Sequence, residues 1–438
     1  MRTWKGELFM IKDFTKDEYD EFISLFSVTN AWHLIRKMLS VVDDSYLEEG
    51  ERVGFILLRL CQEQQLDQKK TRNLVFSALF HDIGRIWQSS SDKANLFDYS
   101  SHYDHALSSY LFLKYFSPQK EYAEIVLFQN GREDKQQNNP FYPLGVKLHL
   151  AIAVEEMHSQ GKSNEEILAA IRKGKNRLFN AKDVGDMEKL ISKSNLLIQL
   201  DSTSYHETID EFLSSLYFRR DVVRNYLFMV TYCIEAYNSE TMYHARITSF
   251  LCYLLGRYKN LPLHDLCVLF TAGLFGDIGK IRIPHAILEK PGKLTEEEQQ
   301  VMMKHIDYTK EILEGCFKDK EVVEVAYAHH ERLDGSGYPL HKKADELSLE
   351  QRIAAVADCA AAMMAARAYK NAFSIDQTVG ELEAMKDQGK LDPEIVEIFK
   401  ENKTEIAAYI QRHLNRMMRD IASMSAERER LKYANAWY

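Results

Sequence analysis

One eight-residue run occurs twice in this chain. Leu79-Phe80-His81-Asp82-Ile83-Gly84-Arg85-Ile86 returns as Leu274-Phe275-Gly276-Asp277-Ile278-Gly279-Lys280-Ile281, with six of the eight positions identical. The offset is 195 residues, the length of a domain rather than of a solenoid unit. A long amphipathic helical pattern precedes each copy. A helix opening on histidine follows each, His105 in the first and His305 in the second. Such a repeat implies duplication of a whole domain, and 438 residues give each copy enough chain for its own core.

Apolar residues recur at three- and four-residue spacing over long stretches, as in Val53 to Leu60 and Ile247 to Leu255, and only eight prolines interrupt the chain. Alternating Val, Ile and Thr runs are scarce. The expectation is an all-α fold of two tandem helical domains, residues 1–205 and 206–438. The boundary is set at the polar run Asp201-Ser202-Thr203-Ser204, which reads as a break or helix cap. The charged stretch from Glu427 to Lys432 reads as a solvated helix face, part of a helix that a second copy of the chain, in a homodimer, would use.

Six cysteines, none in a Cys-X-X-Cys arrangement and most inside apolar helical patterns, read as reduced buried thiols. The opening run MRTWKGELFMIKDF lacks the apolar core of a signal peptide, and no stretch of eighteen apolar residues occurs. A cytoplasmic protein without membrane contact is expected. A net charge of -9 argues against general affinity for DNA or RNA, so an anionic ligand would need a local basic site.

The second copy gathers the chemistry. His244 lies in a helix with Glu240 one turn before it, Asp277 sits in the Asp-Ile-Gly-Lys turn, and His305 opens a helix. The adjacent pair His329-His330 and then Asp358 follow. Imidazoles mixed with carboxylates suit iron, manganese or another first-row divalent ion. A carboxylate shared between two such ions would activate a water for in-line attack on phosphorus. Taken singly, a histidine at a helix start is more often a cap or a half-buried surface residue. The adjacent pair, followed directly by a Gly- and Pro-rich loop, shifts that balance.

That loop, His329-His330-Glu331-Arg332-Leu333-Asp334-Gly335-Ser336-Gly337-Tyr338-Pro339, resembles the signature of the HD-GYP family. So does Asp277-Ile278-Gly279-Lys280 followed by Ile283-Pro284, and the resemblance covers about residues 210 to 410. It implies tandem HD-type domains, two or three divalent ions (iron or manganese), and a cyclic dinucleotide, cyclic di-GMP or cyclic GMP-AMP, opened to a linear product. Residue by residue, it implies that Glu240, His244, Asp277, His305, His329, His330 and Asp358 ligate metal, with Asp277 bridging. It makes Asp277 and Lys280 catalytic, and places Lys280, Arg367, Lys370 and Tyr338 at the substrate. Ordinary surface charge is the alternative for the lysines and arginine.

Two departures stand out. Gly276 replaces the histidine of the family's His-Asp pair, removing one imidazole, and Ala361 removes a carboxylate after Asp358. A catalytically impaired cyclic dinucleotide receptor is therefore the alternative to an active phosphodiesterase, and a plain interaction scaffold is a third reading. The first copy shows the reverse losses. His81, Asp82 and His105 are kept, while Gln129-Asn130 stands where the paired histidines would be and Glu49-Gly50 where the leading histidine would be. It reads as a degenerate regulatory or dimerisation domain, with retention of one ion as the competing possibility.

Overall fold

The structure is a computed structural model. It describes residues 15–25, 44–84, 102–117, 120–129, 138–216, 239–288, 292–365 and 373–435, with a few isolated positions between them. Helices account for the regular structure of these residues, and beyond them only two isolated β-bridges occur. The helices used below are α1 (Lys16–Ser24), α2 (Asp44–Glu63), α3 (Gln68–Leu79), α4 (His102–Phe116), α5 (Tyr142–Ser159), α6 (Ser239–Tyr258), α7 (Leu263–Phe275), α8 (His305–Leu313), α9 (Glu321–Tyr327), α10 (Leu349–Ala365) and α11 (Lys403–Asn435).

The chain forms two compact units, but they are not its two contiguous halves. The amino-terminal unit is residues 43–218 with 424–438, and the carboxy-terminal unit is residues 1–42 with 219–423. This differs from a single cut at residue 205, and side-chain chemistry explains why. On α1, Phe22 is fully buried and packs edge-on against Phe270 of α7, with ring centroids 5.6 Å apart. Near the end of α11, the Glu427 carboxylate accepts hydrogen bonds from Lys114 and from the Tyr115 hydroxyl of α4. Glu427 is thus an anchor largely buried in the amino-terminal unit, not part of a solvated face.

The two copies of the repeat fold alike. In the amino-terminal unit α2 packs along α3, and in the carboxy-terminal unit α6 packs along α7. Every residue from Leu266 to Phe275 is buried, because α7 lies among α1, α6, α9 and α10 and has no face left for water. The Asp-Ile-Gly turn ends each motif helix in the same way. Gly84 donates its backbone N–H to the Ser109 hydroxyl at 3.0 Å, and Gly279 donates to the Thr309 hydroxyl at 3.0 Å. Thr309 passes the bond on to the Gly276 carbonyl at 2.8 Å. A Cβ on Gly279 would collide with the His305 carbonyl oxygen, so this close approach requires glycine.

Cys61, Cys252, Cys267, Cys316 and Cys359 are buried free thiols, as expected. Among the described residues no helix is long and apolar enough to cross a membrane.

A titratable clamp holds α1 to its unit. His264, at the start of α7, faces Glu21 of α1 at 3.0 Å through Nδ1 and Asp319 at 3.1 Å through Nε2. The Glu21 hydrogen bond raises the His264 pKa above 6.5, with partial burial opposing and Asp319 assisting. A raised histidine contributes stability that is fully present below its unfolded pKa and is lost as pH rises through its folded pKa. Hydrogen exchange across α1 is therefore expected to accelerate, beyond the intrinsic pH dependence, as pH rises through that value. His264→Gln should show the faster exchange at all pH values; a wild-type profile parallel to that of His264→Gln would refute the clamp.

Candidate metal centre

Asp277 sits just past the end of α7 and is buried at the middle of a ring of imidazoles. Its Oδ2 lies 3.2 Å from His244 Nε2 and 2.7 Å from Lys280 Nζ. Its Oδ1 lies 3.3 Å from His305 Nε2 and 3.7 Å from His329 Nε2. Asp358, from the middle of α10, closes the ring, with Oδ1 3.1 Å from His244 Nε2 and Oδ2 3.1 Å from His330 Nδ1. Five chain segments thus bring His244, Asp277, His305, His329, His330 and Asp358 together. Ligand atoms of Asp277, His305, His329 and His330 all lie within 4.8 Å of one another.

Backbone carbonyls aim the rings. His305 Nδ1 is 2.6 Å from the Met302 carbonyl and His329 Nδ1 is 2.7 Å from that of Ala326, so each Nδ1 carries the proton and donates it. Each Nε2 is left turned towards Asp277, the orientation that metal-ligating histidines commonly take from such a carbonyl.

Electrostatics set the charge states. Burial pushes the Asp277 carboxyl up, but the Lys280 ammonium and the facing imidazoles of His244, His305 and His329 outweigh it and hold the group well below the usual carboxylate range. Asp358 is held low in the same way, by His330 and His244 against burial. Burial lowers His244, but its bonds to both carboxylates prevail and raise it to about 9. Burial and the neighbouring His329 push His330 down to about 3, and burial lowers His305, so both rings are neutral.

These residues fit a cation. His305 Nε2 and Asp277 Oδ1 are buried, face each other, and have no hydrogen-bond partner among the described residues. A neutral imidazole lone pair set against a carboxylate oxygen is costly in a buried site unless a positive ion lies between them. The donor set, nitrogen and oxygen without thiolate, suits first-row divalent ions.

The loop after the paired histidines covers the site. The Tyr338 ring lies over His330 with centroids 4.8 Å apart, and the Tyr338 N–H donates to the His330 carbonyl at 3.3 Å. Glu331 anchors this loop. It is fully buried, and its two carboxylate oxygens accept from the backbone N–H groups of Leu340 at 2.6 Å and Lys342 at 3.0 Å. Reasoning from the sequence singled out neither Glu331 nor Thr309. The only available hint was that Glu331 follows the histidine pair directly, ahead of the Gly-Pro loop.

Lys280 reaches Asp277, as described. The Glu240 side chain, Arg367 and Lys370 lie outside the described residues, as does the His105 side chain.

Gly276 is helical, with φ -54° and ψ -36°, and its missing side chain points at His329. A Cβ there would lie 3.3 Å from the His329 ring and 3.1 Å from the Ala272 carbonyl oxygen. A small cavity of about 10 Å³ beside it is lined by His244, Gly276, Asp277, His329 and Asp358 among others. That is room for about one water, not for an imidazole in the present arrangement. Gly276→Ala should therefore have opposite effects on fold and site. Helix propensity gains up to about 1 kcal/mol, while crowding of His329 lowers metal affinity by about tenfold, the lower end of small-to-large costs. Thermal melting without metal, paired with a metal titration, checks this; unchanged or tighter metal binding would contradict it.

Residues 51–174 match the HD domain family, and residues 229–395 match the HD domain family again. Along most of its length the chain is similar to 3'3'-cGAMP-specific phosphodiesterase 1 of Vibrio cholerae, with 23% identity over 400 residues, 86% of this chain and 92% of that protein. A cyclic di-GMP phosphodiesterase of Thermotoga maritima is 42% identical over 139 residues, 31% of this chain and 37% of that protein. The crystal structure of a cyclic GMP-AMP specific phosphodiesterase of V. cholerae (V-cGAP3) shares the fold, with a TM-score of 0.50 at 20% identity over 86% of this chain and 97% of that one. With one HD domain in each copy of the repeat, and the paired histidines and Gly-Tyr-Pro loop in the second, the chain belongs to the HD-domain proteins of the HD-GYP kind.

Proposed function

We propose that the carboxy-terminal unit is a metal-dependent phosphodiesterase that opens a cyclic dinucleotide to its linear form. The observation that carries this reading is the division of the Asp277 carboxylate, with Oδ2 turned to His244 and Oδ1 to His305 and His329. A carboxylate presented to two separate groups of ligands is what a bridged pair of ions requires. In this reading His244, Asp277 and Asp358 would hold one ion, His305, His329 and His330 with Asp277 would hold the other, and Glu240 would extend the set for a third. Iron and manganese are the candidates. Such ions would polarise a phosphoryl oxygen and lower the pKa of a bound water.

The chain's own residues do the rest. Asp277 stays ionised because Lys280 and the imidazoles stabilise its charge. Lys280, partly exposed at the rim, offers its ammonium to a phosphate oxygen. Tyr338 roofs the site over His330 and limits entry of bulk water. Water adds to phosphorus and one ester P–O bond breaks, giving a linear dinucleotide with a terminal phosphate.

Relatives named for 3'3'-cGAMP and for cyclic di-GMP make both substrates appropriate. The test is incubation of the full chain with each cyclic dinucleotide, with iron or manganese under reducing conditions, followed by product chromatography. Linear product that requires metal is expected. Protein that binds metal yet leaves both substrates intact would overturn the proposal.

A further inference from the structure

Asp277 is held in place by a side chain that is not itself a ligand. Thr309 is fully buried on α8, one turn after His305 and on the same face of the helix. Its hydroxyl accepts from the Gly279 N–H at 3.0 Å and donates to the Gly276 carbonyl at 2.8 Å. One oxygen thus grips the peptide group just before Asp277 and the one just after Ile278. The turn lies directly on the backbone of α8, since a Cβ on Gly279 would stand 2.0 Å from the His305 carbonyl oxygen and 2.5 Å from the Thr309 nitrogen. This contact governs a spacing inside the centre. Asp277 Oδ1 faces His305 Nε2 at 3.3 Å, and neither buried atom has a hydrogen-bond partner among the described residues. The two side chains therefore owe their spacing to the backbones that carry them. The Met302 carbonyl fixes the His305 ring on α8, and Thr309 fixes the Asp277 turn to the same helix.

We propose that Thr309 is a positioning residue for the metal centre, its hydroxyl setting the separation of Asp277 from His305 and so the place where one carboxylate would meet two ions. The proposal rests on the metal-centre reading given above. Metal ligands must stand within about 0.2 Å of their ideal distances, so even a small shift of the turn would be felt at the ions. Valine has nearly the shape of threonine but neither accepts nor donates. In Thr309→Val the buried Gly279 N–H would lose its acceptor and the Gly276 carbonyl its donor, and the turn could lower that cost only by moving. Serine keeps the hydroxyl. In the amino-terminal copy the Ser109 hydroxyl accepts the equivalent Gly84 N–H at 3.0 Å, so serine suffices for that half of the arrangement.

The test does not depend on hydrolysis. Full-length protein is stripped with chelator and titrated with Mn²⁺, and the binding that Asp277→Asn removes is taken as that of the carboxy-terminal centre. Thr309→Val should weaken this binding at least about tenfold, as loss of a group that orients a ligand commonly does. Thr309→Ser should restore most of it. Thr271→Val is the control for stability alone. It removes another fully buried threonine hydroxyl of the same unit, one that donates to the Cys267 carbonyl at 2.7 Å, and should leave Mn²⁺ affinity unchanged. At saturating Co²⁺, with the protein folded and loaded, the visible absorption of Thr309→Val should differ from that of wild type, and that of Thr309→Ser should match it. Thr309→Ala carries the test if circular dichroism shows that Thr309→Val does not fold. Wild-type affinity in Thr309→Val, an unchanged Co²⁺ spectrum, or an equal loss of affinity in Thr271→Val would overturn the proposal. Absence of any Mn²⁺ binding that Asp277→Asn removes would overturn it together with the reading it rests on. A chain that meets these expectations yet hydrolyses no cyclic dinucleotide would leave the role of Thr309 standing and remove only the proposed function.

Discussion

Asp277→Asn is expected to abolish metal binding in the carboxy-terminal unit and to reduce hydrolysis by well over a hundredfold. Losing a residue that merely orients a ligand commonly costs ten- to a hundredfold in metal affinity or activity, and Asp277 is placed to touch two ions directly. The substitution keeps the shape and removes the charge. Two things follow for stability. Burial opposes the Asp277 charge, but Lys280 and the facing imidazoles outweigh that cost, so the amide forfeits more than it relieves. The metal-free melting temperature should therefore fall. The rise on adding metal, about 2.7 kcal/mol at a hundredfold excess over Kd, should vanish for this centre. Melting with and without metal, beside a rate measurement, separates the two effects. Retention of a tenth or more of the wild-type rate would remove Asp277 from the centre of the mechanism.

Glu331→Ala is expected to lower both stability and turnover, although Glu331 touches neither Asp277 nor Asp358 in any described hydrogen bond. Its carboxylate is the buried anchor of two backbone N–H groups, and bonds to a charged group contribute about 1.5–3 kcal/mol each. Their loss, with the two donors left to water or to nothing, should cost roughly 3–5 kcal/mol. The loop that holds Tyr338 over His330 would then no longer be pinned. Well below the melting transition, hydrolysis should fall at least tenfold with metal content largely kept. Glu331→Gln, which retains one acceptor, should fall in between. Full activity of Glu331→Ala at a lowered melting temperature would show that the loop position does not matter to the chemistry.

The parts of this protein that were legible in the sequence are those that depend on residues close together in the chain. The helix periodicity, the repeated Asp-Ile-Gly turn and the His329-His330 loop are local patterns. The ligand set followed because the motif spacing resembles a known family. What stayed hidden depends on residues far apart. Nothing near Thr309 reveals that its hydroxyl bridges Gly279 and Gly276 across thirty residues or more. Nothing near Glu427 reveals Lys114 and Tyr115, more than three hundred residues away, so a charged run looked solvated. Gly276 looked like a simple loss of a ligand. The fold adds that its bare Cα lies against the His329 ring, so restoring an imidazole there means displacing another.

The exchange of segments between the units has a consequence for how the chain matures. α1 is made before residues 43–218 but belongs with residues 219–423, and Glu427 is made after residues 219–423 but belongs with residues 43–218. Domains commonly fold one after another as they leave the ribosome. Here Phe22 of α1 must wait about 250 residues for Phe270, and the amino-terminal unit acquires its Glu427 anchor only after residues 219–423 have been made. Contacts at such separation close slowly, because a long loop must be ordered before they form. The start of the carboxy-terminal unit must wait through residues 43–218 for its remainder, and the amino-terminal unit must wait through residues 219–423 for its last segment. A ribosome-bound chain arrested before Glu427 should therefore hold an amino-terminal unit that is collapsed yet still sensitive to protease.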